Sequence, residues 1–223
     1  MSFISINQVS KTYGIGEAVV EAITDMSLNI DTGEFVSVMG ESGAGKSTLL
    51  SVLGGMNTPT SGSYQVDGMD IYELHSERRA DFRREYLGFI FQSFHLIPYL
   101  SVLENVMLPL VNISKKRHEK EEMAMQALFW VGLEGKADRL ANRISGGEME
   151  RAAVARAIVN QPPILLADEP TGNLDSRNSN EVMQLLQQLN ADGATVIMVT
   201  HSAECAGYAN RRIEVRDGRI VPH

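Results

Sequence analysis

The chain has 223 residues, 43% hydrophobic and 22% charged, with a formal net charge of -8 at pH 7 and one cysteine, Cys205. That composition can bury a substantial core and excludes a disordered chain, while the acidic balance argues against a sequence-independent grip on nucleic acid, which rests on clustered Lys and Arg. A lone cysteine excludes an intramolecular disulfide and reads as a packed thiol in a cytosolic protein. The N-terminus lacks the basic start and long apolar stretch of a secretory signal, and no run approaches the ~18 apolar residues that cross a bilayer. Any membrane role must therefore come through a partner.

In chain order, FISINQV alternates apolar and polar residues as a half-buried strand does, and EFVSVM, residues 34–39, is a short apolar strand ending at a glycine. GESGAGKS, residues 40–47, then fits G-x-x-x-x-G-K-[ST] in full, between a strand and the helical spacing of KSTLLSVLGG. Gly40, Glu41, Ser42, Gly43, Ala44, Gly45, Lys46, Ser47 and Thr48 are thus expected to hold a nucleotide's phosphates. Backbone N–H groups would turn inward, the helix start would add its dipole, Lys46 would reach the β- and γ-phosphates, and the Ser47 hydroxyl would face Mg2+.

LGFIFQ, residues 87–92, is the next strand, and residues 93–160 follow as a polar, mainly helical segment with almost no strand signal, expected as a helical subdomain inserted into a core of residues 1–92 and 161–223. The basic run at 115–117 is followed by Glu119, Glu121 and Glu122 and reads as a solvated helix face. Within the segment lies ISGGEMER, residues 144–151, where a serine and two glycines open a helix, as an anion cradle does, but without a lysine.

PILLADEP, residues 163–170, is a strongly apolar strand whose end places Asp168 to hold Mg2+ through water and to pair with Ser47; the adjacent Glu169 can polarise an attacking water, which favours hydrolysis over transfer. A helix is expected over residues 178–190, a strand over ATVIMVTH, and a closing strand segment IEVRDGRIV. His201 ends its strand at the same carboxyl edge, within reach of the γ-phosphate or the attacking water. His75, His95, His118 and His223 lack such company and read as surface or loop residues. Strands alternating with helices predict a mainly parallel sheet covered on both faces.

GESGAGKS, Gln92 at a strand end, ISGGEMER, ILLADEP, GNLD and VTH, in that order, resemble the nucleotide-binding subunit of ATP-binding cassette (ABC) transporters over essentially the whole chain. The resemblance implies an α/β fold with a phosphate-loop (RecA-like) core, a mainly parallel sheet, an N-terminal antiparallel β region and an inserted helical subdomain. It implies that Tyr13 stacks on adenine, that Gln92 contacts the metal and water, that Glu169 is the catalytic glutamate and that Asp175 communicates between two sites of a dimer. Ser145, Gly146, Gly147 and Glu148 match the family's signature, with Ile144 for leucine and Glu148 for glutamine, the latter placing an acidic charge near a phosphate-binding helix start.

GEAVVEAITDMSLNI, LGGMNTPTSG and LGFIFQSFHLIPYLSVLENVMLPL are similar to the branch of macrolide-efflux, lipoprotein-release and cell-division-associated ATPases. The expected partners are a second copy, closing head to tail around ATP, and an integral membrane permease that would hold the chain at the cytoplasmic face of the cell membrane. Import is the alternative within the family, although the sequence ends at His223 without the C-terminal regulatory domain that some importers append. A soluble ATPase acting on nucleic acid is the alternative outside it.

Overall fold

The computed structural model describes residues 2–14 and 18–221; Met1, the Gly16–Glu17 start of GEAVV and His223 lie outside them. The first strands, β1 (Ile4–Tyr13) and β2 (Val20–Ile30), pair antiparallel, and their alternation sends Ile4, Ile6 and Val9 of one and Ile23, Met26, Leu28 and Ile30 of the other into the core. The register slips between Ile6 and Val9, where Gln8 takes φ 49°, so the hairpin bends at a bulge. β3 (Phe35–Met39) is buried at every position, the pattern of a parallel strand covered on both faces.

The glycine-rich loop after β3 turns into α1 (Lys46–Leu53), whose Leu49, Leu50, Val52 and Leu53 are buried, each contributing roughly 1.5–3 kcal/mol through the area it removes from water. β4 (Ser61–Val66) and β5 (Met69–Asp70) complete an antiparallel sheet of order β2-β1-β4-β5. α2 (Ser76–Tyr86) runs directly into β6 (Leu87–Phe91). Three helices follow, α3 (Val102–Met107), α4 (Arg117–Trp130) and α5 (Gly146–Ile158), joined by short 3-10 turns. Then come β7 (Ile164–Asp168), α6 (Ser176–Ala191), β8 (Thr195–Thr200), α7 (Ala203–Ala206) and the hairpin β9 (Arg211–Arg216) and β10 (Arg219–Val221).

The second sheet has the order β10-β9-β3-β8-β7-β6 and is parallel except for its terminal hairpin, which turns through Asp217 and Gly218, both at positive φ. One apolar cluster fills the space between the two sheets and α1; the other joins the opposite face of the parallel sheet to α3, α4, α5 and α6. Cys205 is buried, as expected for a packed thiol, and its Sγ lies 3.2 Å from Thr171 Oγ1.

This topology positions the site. β3, β8, β7 and β6 lie side by side and parallel, so the residues that follow them, Gly40, His201, Glu169 and Gln92, emerge at one carboxyl edge. Ligands of open α/β sheets collect there.

Candidate functional site

At Gly40 and Gly45 the backbone of the loop comes so close to its neighbours that a side chain has no room. Gly45 sits at φ 97° with the carbonyl of Ala22 where a Cβ would stand, and Gly40 faces the carbonyl of Val215 in the same way. The loop is thereby held tight against β2 and β9, and the free N–H groups of the first turn of α1 open into the cleft. Lys46 is buried and donates from Nζ to the carbonyls of Gly40 and Glu41, both at 2.8 Å, so its ammonium is stretched back across the loop, over the space a phosphate would fill.

Opposite the loop, the Ser47 hydroxyl donates to Asp168 Oδ1 at 3.3 Å. Burial raises the Asp168 carboxyl above its ordinary range; the Ser47 bond and the Lys46 charge pull it back down, and the Glu169 charge adds to the rise. Glu169 begins the loop after β7 in the left-handed region, φ 47°, with its N–H on the carbonyl of Val199 at 2.9 Å. Its carboxylate is largely covered, 13% exposed, and Oε1 lies 2.8 Å from His201 Nδ1. The backbone carbonyl of Gln92 accepts from Asn173 Nδ2 at 2.8 Å.

Lys46, Ser47, Thr48, Gln92, Asp168, Glu169 and His201 line a single cleft of about 650 Å3, with Ser42, Gly43 and Gly45 on the loop side and Val20, Glu21 and Ala22 of β2 at one end. The size suits a nucleotide-scale ligand. Tyr13 is not part of the lining; it stands opposite Val20 in the β1–β2 ladder, with an exposed ring, Lys11 Nζ 5.1 Å from the ring centroid and its hydroxyl bonded to Asn57 Nδ2. Among the described residues no cluster of three or more His, Cys, Asp or Glu could hold a metal by itself. The hard oxygens of Ser47 and Asp168 and the amide of Gln92 nonetheless fit Mg2+ that takes its other ligands from phosphate and water.

Ser145, Gly146, Gly147 and Glu148 are not in this cleft. They begin α5, where Ser145 is the N-cap: its Oγ accepts from the Glu148 N–H at 3.3 Å while Glu148 Oε2 accepts from the Ser145 N–H at 2.8 Å. That reciprocal pair is a capping box. The bond from Ser145 holds the Glu148 carboxyl below its ordinary range, helped by Lys136, whose Nζ lies 3.2 Å from Oε1. Glu148 thus stays ionised, with its carboxylate turned back onto the helix start and paired with Lys136. The Ser145 hydroxyl proton stays free to donate outward, and a Cβ on Gly146 would meet nothing within 4 Å. Gly147 instead packs on Asn178 Oδ1, and Asn178 is fixed by Asp175, the N-cap of α6, which accepts from its N–H at 2.9 Å and its Nδ2 at 2.8 Å.

The described residues thus carry a cleft with a buried lysine and, apart from it, a lysine-free helix start with an open face. A family model described as "ABC transporter" matches residues 23–172. The chain belongs to the ABC transporter family. The macrolide export ATP-binding/permease protein MacB of Mannheimia succiniciproducens is 42% identical over 221 residues, 99% of this chain but 34% of that protein, so the chain spans about a third of that relative's length. YknY of Bacillus subtilis, named an uncharacterized ABC transporter ATP-binding protein, is 44% identical over 219 residues, 98% of this chain and 95% of its own. Among solved structures, the dimeric structure of MJ0796, a bacterial ABC transporter cassette, matches at TM-score 0.91 and 42% identity over 98% of this chain and 97% of that one. A dimeric post-hydrolysis state of MJ0796 bound to ADP and Pi matches at TM-score 0.90 over the same shares.

The ABC fold expected from the sequence is therefore the fold observed, and the chain is an ABC ATPase. Sequence reasoning passed over Lys136, Asn178 and Thr200. Lys136 and Asn178 act across turns that spacing does not reveal, and Thr200 reads as one more strand residue. It also passed over Glu150. That side chain on α5 is 1% exposed, its Oε1 has no hydrogen-bond partner among the described residues, and burial pushes its carboxyl from 4.5 up to about 8 against the opposing pull of Arg156.

Because the folded state holds the Glu150 proton more tightly than the unfolded chain, the stability that proton contributes is complete below about pH 4.5 and is lost as pH rises through about 8. Glu150→Gln is expected to be more stable than wild type by about 2 kcal/mol at pH 9, with the gap closing near pH 5. Urea unfolding at the two pH values measures this, and an equal difference at both would assign the effect to packing.

Proposed function

We propose that two copies of this ABC ATPase close head to tail around two ATP molecules, and that their opening after hydrolysis drives a separate membrane permease in efflux or mechanical work. The observation that carries this reading is the division of phosphate-binding features within one chain. Lys46 and the loop can hold an ATP from one side only, and Ser145 with Gly146 presents an unused donor set to solvent. A second copy would bring its Ser145, Gly146 and Gly147 over the ATP held by the first, and Asp175, joined through Asn178 to Gly147, would sense that closure. The dimeric MJ0796 cassettes and the export relative named as an ATP-binding/permease protein support the reading.

Within the closed site each residue has a defined task. Tyr13 would stack on adenine. Lys46 would leave the carbonyls of Gly40 and Glu41 for the β- and γ-phosphates. Ser47, Asp168 and Gln92 would hold Mg2+, which when bound neutralises charge developing on the transferred phosphoryl group. Glu169 would accept hydrogen-bond donation from the attacking water and take up its proton, with His201 steadying Oε1.

Force would leave through the segment after Gln92. Arg156 donates to the carbonyls of Phe94 and His95, and Asn105, fully buried, donates to the carbonyls of Ile97 and Ser101 and accepts from the Ile97 N–H. The loop that displays Tyr99, 78% exposed, is thus held as a firm surface beside a groove of about 500 Å3 that includes Phe89, Phe91, Leu108 and Pro109. A permease segment docked there would place the chain at the cytoplasmic membrane face. No helix among the described residues is long and apolar enough to cross a membrane.

Light scattering of the purified chain tests the dimer. It is expected to run at twice its monomer mass with saturating ATP in EDTA, where hydrolysis is blocked, and at monomer mass with ADP. A monomer under both conditions would overturn the sandwich.

A further inference from the structure

The end of β8 delivers three consecutive residues to Glu169. The Val199 carbonyl accepts the Glu169 N–H at 2.9 Å, Thr200 Oγ1 lies 3.2 Å from Glu169 Oε2, and His201 Nδ1 lies 2.8 Å from Oε1. The direction of the middle contact is fixed by a fourth group. The Ser202 N–H donates to Thr200 Oγ1 at 3.1 Å, which occupies the hydroxyl as an acceptor there and leaves its proton for the carboxylate. Thr200 is itself fully buried, in a strand without an exposed residue, so its rotamer is set by packing and its hydroxyl is not exchanged for water. Glu169, by contrast, stands in a left-handed backbone conformation that a non-glycine residue holds only when its surroundings over-determine it.

We infer that Thr200 is a positioning residue for ATP hydrolysis: its hydroxyl fixes the plane of the Glu169 carboxylate, so that the free lone pairs of Oε1 and Oε2 face the cleft. This rests on the reading of Glu169 as the group that receives the proton of the attacking water. With His201 alone the carboxylate would be held at one oxygen and could swing about its terminal torsion, a broad well for a carboxyl group. With both donors it is held at two points. The hydrogen bond to a charged acceptor in a covered site is also among the stronger ones available.

Thr200→Val keeps shape and removes the hydroxyl; Thr200→Ser keeps the hydroxyl and removes the methyl group. ATP turnover by Thr200→Val is expected to fall roughly 10-fold in kcat, with KM for ATP within about 2-fold, as for a misplaced reacting group. Thr200→Ser is expected to stay within about 2-fold of wild type in both constants. In a Glu169→Gln background, single-turnover hydrolysis should show no further loss on adding Thr200→Val, because the group being positioned is gone.

Wild-type kcat in Thr200→Val overturns the inference, as does an equal loss in Thr200→Ser or a full further loss in the Glu169→Gln background. Should Thr200→Val fail to fold, the outcome rests on Thr200→Ser and on Thr200→Ala, which must fall where serine does not. Failure of the underlying reading looks different: Glu169→Gln alone would then turn over ATP like wild type.

Discussion

Glu169→Gln is expected to bind ATP with wild-type affinity and to hydrolyse it about 100- to 1000-fold more slowly, the range lost when a positioned proton acceptor is removed. Glutamine keeps the length and volume of the side chain, and its one carbonyl oxygen can still accept from His201 Nδ1 or Thr200 Oγ1, so the loop after β7, held also by the bond from the Glu169 N–H to the Val199 carbonyl, should keep its shape. What it lacks is a basic oxygen. Phosphate release at saturating ATP measures the loss, and a fluorescent ATP analogue measures binding; turnover at the wild-type rate would remove Glu169 from the chemistry. Lys46→Ala differs in kind, since Lys46 spans the loop proposed to wrap the phosphates and its loss should appear in affinity first.

The parts of this site that could be read from sequence are those tied to a local pattern with an unavoidable geometry. GESGAGKS between a strand and a helix leaves one way to turn, and Asp168 and His201 close apolar strands that must lie side by side in the sheet interior. α2 was illegible because SERRADFRREY buries only Phe82 and so lacks an apolar stripe. β4 and β5 were illegible because they are short and half exposed. Ser145 and Glu148 carry the capping-box pattern S-x-x-E in plain view, yet a charge beside two glycines reads first as a disturbance to anion binding; only the bonds to Ser145 and Lys136 show that the charge is directed elsewhere.

Tyr13 was legible only through the family resemblance: it stands opposite Val20, at the end of the cleft, and does not line the space itself. The contacts around Glu169 show why single residues escape pattern reading. Val199, Thr200 and His201 are neighbours in sequence, but only the parallel pairing of β7 and β8 puts all three against one residue, Val199 on the Glu169 backbone N–H and Thr200 and His201 on its carboxylate.

Gly146→Asp separates the two halves of the proposed composite site by giving stability and function opposite signs. A side chain at Gly146 would meet nothing within 4 Å, so the fold should accept it. An acid in the first turn of α5 favours the helix by about 0.3–1 kcal/mol. The same carboxylate would stand where a partner's γ-phosphate must approach, and like charges brought together at an interface cost several kcal/mol, equivalent to about 100-fold or more in the closing equilibrium. Gly146→Asp is therefore expected to melt at or above the wild-type temperature and to bind ATP through Lys46 as a monomer. It should lose both ATP-dependent dimerisation and at least about 99% of turnover. Head-to-tail closure adds a sharper consequence. In a mixed dimer of Gly146→Asp with Lys46→Ala, one site combines both defects while the other combines an intact Lys46 loop with an intact Ser145–Gly147 start. Mixing two inactive variants should then restore hydrolysis above either alone, rising with total protein concentration; no recovery at any concentration would mean that each chain completes its own site.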